Sequence, residues 1–239
     1  MSATTKEIQS KTSALEVLEI LKEGNQRFVN QDPKSRNLLE QVKTTSTGQF
    51  PLAVVISCID SRVPTEMIFD QGIGDIFCVR VAGNVINQDV LGSVEFACKV
   101  AGVKLIVVLG HTSCGAVKGA CNEVALGNLT GLLNKINPAI RTVKYRGEWL
   151  GSNWCQPIPF KESWNQSRYI DEVALENVGR SLKTILLDSP IVNKMVNNNE
   201  VECAAGMYSV ETGKVEFYPA SYFDNEPIRP VKDTTRFSG

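Results

Sequence analysis

A chain of 239 residues, 43% hydrophobic and 21% charged, is long enough for one well-buried α/β domain with at most a small appendage. Its formal net charge of -1 gives no electrostatic case for nucleic acid or an anionic membrane as partner. No apolar run approaches transmembrane length, and residues 1–11 lack the apolar core of a secretory signal. The seven cysteines are odd in number, scattered and mostly set inside apolar runs. That usage suits a reduced compartment better than a disulfide framework, so a cytoplasmic location is expected.

Along the chain, residues 13–29 repeat apolar side chains at three- and four-residue steps (Leu15, Leu18, Leu21, Phe28), which predicts an amphipathic helix. Together with the polar stretch that follows, it makes an N-terminal helical arm, 1–48. The stripe of the arm needs cover, from its own core or from a second subunit, and a neighbouring subunit is the expected partner. The main domain is expected over 49–222. Three short β-branched runs at 52–57, 76–82 and 104–109 predict strands, and 90–102 between the last two predicts a helix closed by Gly102. Continuous apolar strands joined through a helix imply a βαβ crossover in a parallel sheet.

After Cys114 a helix is expected to about Ala125, another over 129–145, and an irregular connection over 145–168. A strong helix follows at 171–187, with acidic residues in its first turn and Ser189-Pro190 behind it. Runs at 201–210 and 214–218, joined by Glu211-Thr-Gly213, predict a C-terminal hairpin extending the sheet. A polar tail, 223–239, ends the chain. The expected fold class is α/β: a central, mostly parallel sheet flanked by helices.

Chemistry concentrates at two strand ends. The first strand runs into Cys58-Ile-Asp60-Ser-Arg62, and the run ending at Leu109 continues into Gly110-His111-Thr-Ser-Cys114. In open α/β sheets functional side chains gather where strands end at their carboxyl side. If these two strands are neighbours, all five side chains converge. Cysteine, histidine and aspartate are zinc-type ligands. His111 is the only histidine, so a three-histidine zinc site is excluded within one subunit and any metal must lean on sulfur. Taken singly, each residue has an ordinary reading: a buried thiol, a hydrogen-bonded histidine, a surface ion pair of Asp60 and Arg62. Taken together they predict a metal site of Cys58, His111 and Cys114. The remaining cysteines (Cys78, Cys98, Cys121, Cys155, Cys203) have no second histidine to pair with and read as buried hydrophobes.

These two motifs resemble the zinc site of the β-class carbonic anhydrases, in particular the plant-type subgroup. Gly24-Asn-Gln-Arg-Phe28 and Val79-Arg-Val-Ala-Gly-Asn84 extend the resemblance to about residues 13–220. It implies reversible hydration of carbon dioxide to bicarbonate and a proton, through a hydroxide generated at Zn2+. It implies Cys58, His111 and Cys114 as ligands, and Asp60 paired with Arg62 as the catalytic dyad. Gln49, Phe77 and Phe96 are similar to the substrate-cleft set of that subgroup, which often has Tyr in place of Phe96. The amide of Gly115 is a candidate donor to a substrate oxygen. The resemblance also implies homodimers or homotetramers with clefts near subunit interfaces. Two alternatives share the motifs. One is a hydrolase of carbon disulfide or carbonyl sulfide on the same scaffold; the other is a structural or regulatory zinc protein with Asp60 as a permanent fourth ligand, which would not require Arg62.

Overall fold

The computed structural model describes residues 3–149 and 166–218. Helix α1 (Lys6–Lys11) leads into α2 (Ala14–Val29), which starts on a capping box: Ser13 accepts from the Glu16 amide while the Glu16 carboxylate accepts from the Ser13 amide at 2.7 Å. A short α3 (Leu38–Thr45) follows. Then come β1 (Ala53–Ser57), α4 (Thr65–Ile68), β2 (Ile76–Arg80) and α5 (Gln88–Glu95), which passes into a single π-turn at Phe96–Val100. Strand β3 (Leu105–His111) is followed by α6 (Gly115–Cys121), α7 (Gly127–Asn134), α8 (Asn137–Trp149), α9 (Gln166–Asp188) and α10 (Pro190–Asn197). The antiparallel pair β4 (Glu202–Tyr208) and β5 (Val215–Tyr218) ends the described chain.

The five strands form one sheet in the order β2-β1-β3-β4-β5, parallel except for β5. The expected hairpin therefore does extend a mostly parallel sheet. Residues alternate between its faces because successive strand side chains point to opposite sides. Val54, Ile56, Ile106 and Val108 meet α5, α6, α9 and their neighbours on one face. Ala53, Val55, Leu105 and Val107 meet α2 and α4 on the other. Strands β1 and β3 are buried along their whole length, which is why they read as unbroken apolar runs.

Several sequence-based boundaries shift. The helix after Cys114 stops at Cys121 rather than Ala125, where Glu123 turns to a positive φ of 55. The single helix expected over 129–145 is two, broken at 135–136: Pro138 has no N–H to bond back to the Asn134 carbonyl and sits instead in the first turn of α8. The irregular stretch at 145–168 shrinks: α8 runs to Trp149 and α9 begins at Gln166, and 150–165 lie outside the described residues. The polar stretch after residue 30 contains α3, and Ser189-Pro190 starts α10 as well as ending α9, with the serine hydroxyl accepting from Val192 and proline in the first turn. The expected tail at 223–239 lies outside the described residues.

The helical arm requires a correction too. Val17, Leu18 and Leu21 are buried in the core of their own chain, packed with Ile68, Phe69 and the β1–β3 face. Leu18 and Leu21 of the stripe thus need no neighbouring subunit to cover them, while Leu15 and Phe28 stay half-buried. The sheet has two apolar faces and α2 supplies the layer over the second, a need that periodicity within the arm could not reveal.

The arm is also tied down by charge. Asp70, its side chain 3% exposed, accepts from Arg27 Nε at 2.5 Å and from Arg36, and its carboxylate also takes the Lys34 amide at 3.2 Å. Burial pushes the Asp70 carboxyl up, but the two guanidiniums and the amide outweigh it and hold the group below the ordinary aspartate value. A lowered folded pKa contributes stability above about pH 4 that is lost as pH falls below it. Asp70→Asn should therefore destabilise the fold by about 3 kcal/mol at pH 7, because two guanidiniums lose a buried partner. The difference from the parent should shrink in denaturant titrations near pH 3. An unchanged denaturation midpoint at pH 7 would show that the network adds nothing.

Candidate metal centre

Because β1 and β3 are neighbours in parallel register, with Ser57 opposite Leu109, the loops that follow them open at the same edge. The sulfurs of Cys58 and Cys114 and a ring nitrogen of His111 all lie within 4.8 Å of one another. The three residues are almost fully buried, at 3%, 1% and 0% exposed. His111 Nδ1 lies 2.9 Å from the Thr112 carbonyl oxygen, a contact that places the proton on Nδ1. Nε2 is buried and has no hydrogen-bond partner. An unpartnered buried imidazole nitrogen facing two thiols is costly in a protein alone and is what a metal ligand looks like. The donor set, two sulfurs and one nitrogen with a fourth position left over, fits a tetrahedral zinc ion of the catalytic type.

The surroundings favour thiolates. Cys58 is held well below the usual thiol range, first by the Cys114 thiol beside it, then, against burial, by the His111 side chain and by the Gly83 amide, whose nitrogen lies 3.2 Å from the sulfur. Cys114 is pushed up by the charge and contact of Cys58 and by burial, opposed by the amides of Val117 and Ala116 at the start of α6. One of the pair therefore ionises readily, and the second proton leaves when a cation enters. Gly83 can present its amide because it adopts a φ of +64, and a Cβ there would meet Ile136 at 2.9 Å. Elsewhere burial pushes Cys78, Cys98 and Cys203 up to about 12, the behaviour of inert core thiols.

Asp60 and Arg62 are joined as a bidentate pair. Arg62 Nε donates to Asp60 Oδ1 at 2.9 Å, Arg62 Nη2 donates to Oδ2 at 2.8 Å, and the Arg62 amide adds a third bond to Oδ1 at 3.0 Å. These bonds, led by the Arg62 side chain, hold the Asp60 carboxyl far below the usual carboxylate range. Oδ2 lies 4.0 Å from His111 Nε2, so the carboxylate faces the ligand cluster while remaining in the grip of Arg62.

Other residues position the two loops, and reading the sequence did not single out their roles. Arg80, at the end of β2, donates to the carbonyls of Cys58 (3.1 Å) and Asp60 (2.6 Å). The Thr112 amide donates to the Tyr208 carbonyl at 2.9 Å and the Thr112 hydroxyl accepts from Val210. Ser113 sits between the ligands with a φ of +56, a conformation that costs a non-glycine residue about 1 kcal/mol or more. Its amide donates to Asp171 of α9 at 2.7 Å and its carbonyl accepts from Arg62 Nη2 at 3.2 Å. Burial raises the Asp171 carboxyl while the Ser113 amide opposes that shift. Arg80 lay inside a quoted motif and Asp171 in the first turn of a predicted helix, but only the tertiary fold brings them to the loops.

The structure does not gather every expected residue at the triad. Gly115 follows Cys114 directly, and a side chain there would meet no heavy atom within 4 Å, so space is open beside its backbone. Phe77 pairs with Val54, four residues before Cys58, which puts it roughly 13 Å back along the sheet. It packs edge-on against Phe96, ring centroids 6.2 Å apart, on the face of the sheet that α5 covers. Gln49 is exposed and precedes β1, at the opposite end of the sheet from the metal loops.

Known proteins resemble this chain in sequence and fold. The family model described as carbonic anhydrase matches residues 53–215, most of the chain. Carbonic anhydrase 2 of Mycobacterium tuberculosis is 49% identical over 121 residues, 50% of this chain and 58% of that protein. The carbonic anhydrase of Mycolicibacterium smegmatis is 47% identical over 126 residues, 50% of this chain and 61% of that one. The chain thus matches less than two thirds of the length of these curated relatives. The crystal structure of the β-carbonic anhydrase CafA of Aspergillus fumigatus superposes with a TM-score of 0.66 at 25% identity, covering 88% of this chain and 91% of that chain. The β-carbonic anhydrase CcaA gives 0.63 at 26% identity, covering 88% and 95%. With the matched span running from the first strand through the ligand loops to the last strand, the chain belongs to the β-class carbonic anhydrase family.

Proposed function

We propose that this chain catalyses the reversible hydration of carbon dioxide to bicarbonate and a proton, with zinc held by Cys58, His111 and Cys114. The observation that carries this reading is Asp60: a carboxylate locked by Arg62 at both oxygens, facing the ligand cluster without being needed to complete it. A purely structural zinc site is closed by four protein donors and gains nothing from an arginine that restrains the fourth. Zinc supplies hydroxide near neutral pH by lowering the pKa of water.

Asp60, with Oδ2 turned to the ligand cluster 4.0 Å from His111 Nε2, would be the hydrogen-bond acceptor that orients the nucleophile such a metal supplies. Arg62 keeps that acceptor aimed and charged. The Gly115 amide, at the start of α6 directly after Cys114, is the candidate donor to a substrate oxygen. With His111 committed as a ligand and no second histidine in the chain, the product proton leaves through water, buffer, a carboxylate or a tyrosine. Metal analysis with stopped-flow hydration tests the whole reading. One zinc per chain with rapid hydration is expected, and a metal-loaded protein without hydration activity overturns it.

Assembly forms part of the proposal. Phe77 sits roughly 13 Å back along the sheet from the ligand loops, with Phe96 packed on it, and Gln49 precedes β1 at the other end, so a role for them in a substrate cleft is read as one in the cleft of a second copy. Two β-carbonic anhydrases of Sordaria macrospora with a similar fold are tetrameric. A homodimer or homotetramer is therefore expected in sedimentation. An active species sedimenting at the monomer mass of 26.2 kDa would contradict it.

A further inference from the structure

We propose that Asp171 is a positioning residue for this reaction, acting through the Ser113 peptide to keep Arg62 on Asp60. The inference rests on the function proposed above. Its basis is a continuous chain of contacts that starts on α9 and ends at the metal ligands. Asp171 Oδ1 accepts the Ser113 amide at 2.7 Å. The carbonyl of the same residue accepts Arg62 Nη2 at 3.2 Å, and Nη2 also holds Asp60 Oδ2 at 2.8 Å. Asp60 Oδ2 in turn stands 4.0 Å from the free nitrogen of His111.

Ser113 is the hinge of this chain. Its φ of +56 is one that a serine leaves unless its surroundings hold it there. The Asp171 carboxylate is the partner of its amide, and the two ligands His111 and Cys114 fix the flanking positions. Without Asp171 the residue relaxes toward extended backbone and its carbonyl rotates away from Arg62. The guanidinium is half exposed, with 49% of its side chain accessible, and it then keeps only Asp60 as a side-chain partner. A bidentate pair with one fixed end is rigid, whereas the same pair with a free end swings. Once loosened, Asp60 can close on the metal as a fourth ligand and occupy the position that water needs.

Alanine and asparagine at 171 separate the parts of this claim. Asparagine keeps an oxygen that accepts the Ser113 amide but carries no charge, whereas alanine keeps neither. The parent and both variants are loaded with cobalt(II), and the visible spectrum is followed from pH 6 to 9. Zinc content, thermal midpoint and the kcat and KM for carbon dioxide hydration are measured on the zinc forms. The parent spectrum should change with pH as the exchangeable water ionises. Asp171→Ala should show a spectrum that no longer responds to pH, with metal retained and kcat lowered roughly 10–100-fold, the range for partners of metal-site residues. Asp171→Asn should restore most of both. An Asp171→Ala protein that titrates like the parent overturns the proposal. So does one that fails to fold or to hold metal, which would make the contact a matter of stability. An asparagine variant as impaired as alanine also overturns it, because charge and not the hydrogen bond would then be responsible. If the parent itself takes up no metal or hydrates no carbon dioxide, the proposed function has failed, and that result is visible before any variant is compared.

Discussion

Cys58→Ser is expected to lose zinc and hydration activity together, the largest effect of any single change in the chain. A serine hydroxyl is a poor zinc donor at neutral pH, whereas the thiol it replaces is already biased toward ionisation by Cys114, Gly83 and the Asp60 amide. The variant also leaves His111 Nε2 buried with neither metal nor hydrogen-bond partner, so apparent stability falls by the linkage that metal binding normally contributes. Cys98→Ser and Cys203→Ser provide the comparison. Both change buried thiols on the same face of the sheet and disturb packing, but neither should affect metal content. The measurement is zinc per chain after exhaustive dialysis, with circular dichroism as a check on folding. Full zinc occupancy in Cys58→Ser would remove Cys58 from the ligand set and the proposed mechanism with it.

Much of this site was legible in the sequence because its parts are local. Strands β1 and β3 announce themselves as apolar runs, and each delivers its ligands within a few residues of its end. Only one fact was needed from outside each motif, that the two strands are neighbours, and the sheet order supplies it. The Asp60–Arg62 pair was legible for the same reason, since its partners are two residues apart. The residues that went unread act at long range. Arg80 reaches Cys58 and Asp60 across 22 and 20 residues, and Asp171 reaches Ser113 across 58. Their sequence neighbourhoods look like an ordinary strand end and an ordinary helix start.

The intrachain cover of the arm went unread for a related reason. Its periodicity shows that α2 has an apolar stripe, but which surface covers it depends on whether the second face of the sheet is otherwise bare. Helix α3 escaped because its short sequence exposes Leu38, Leu39 and Val42 and buries Gln41, whose side-chain oxygen accepts from the Ile73 amide at 3.1 Å. Polarity alone therefore pointed the wrong way there.

The dyad supplies the second large effect. With two thiolates and one imidazole around it, zinc withdraws less charge from water than it does in a three-histidine site. The parent rate should therefore climb through a pKa above the roughly 7 typical of such sites. Asp60 does not shape that climb. Its carboxyl lies far below the ordinary aspartate value because Arg62 donates to both its oxygens, so it is ionised throughout the assay range and is lost only below about pH 4. Asp60→Asn removes the charge and replaces an acceptor oxygen with a donor, so it should keep zinc and lose rate by roughly 10–100-fold. Arg62→Ala acts differently. It removes the first cause of the lowered pKa and frees the carboxylate, which is 4.0 Å from His111 Nε2, to close on the metal. That variant should be equally silent with zinc bound, and the double variant Asp60→Asn/Arg62→Ala should be no slower than Asp60→Asn alone. The measurements are a pH–rate profile and zinc analysis on all four proteins. A parent already maximal at pH 6.5 would overturn the charge argument, and an Asp60→Asn protein that gives up its zinc would show that the carboxylate is a ligand and not the acceptor argued here.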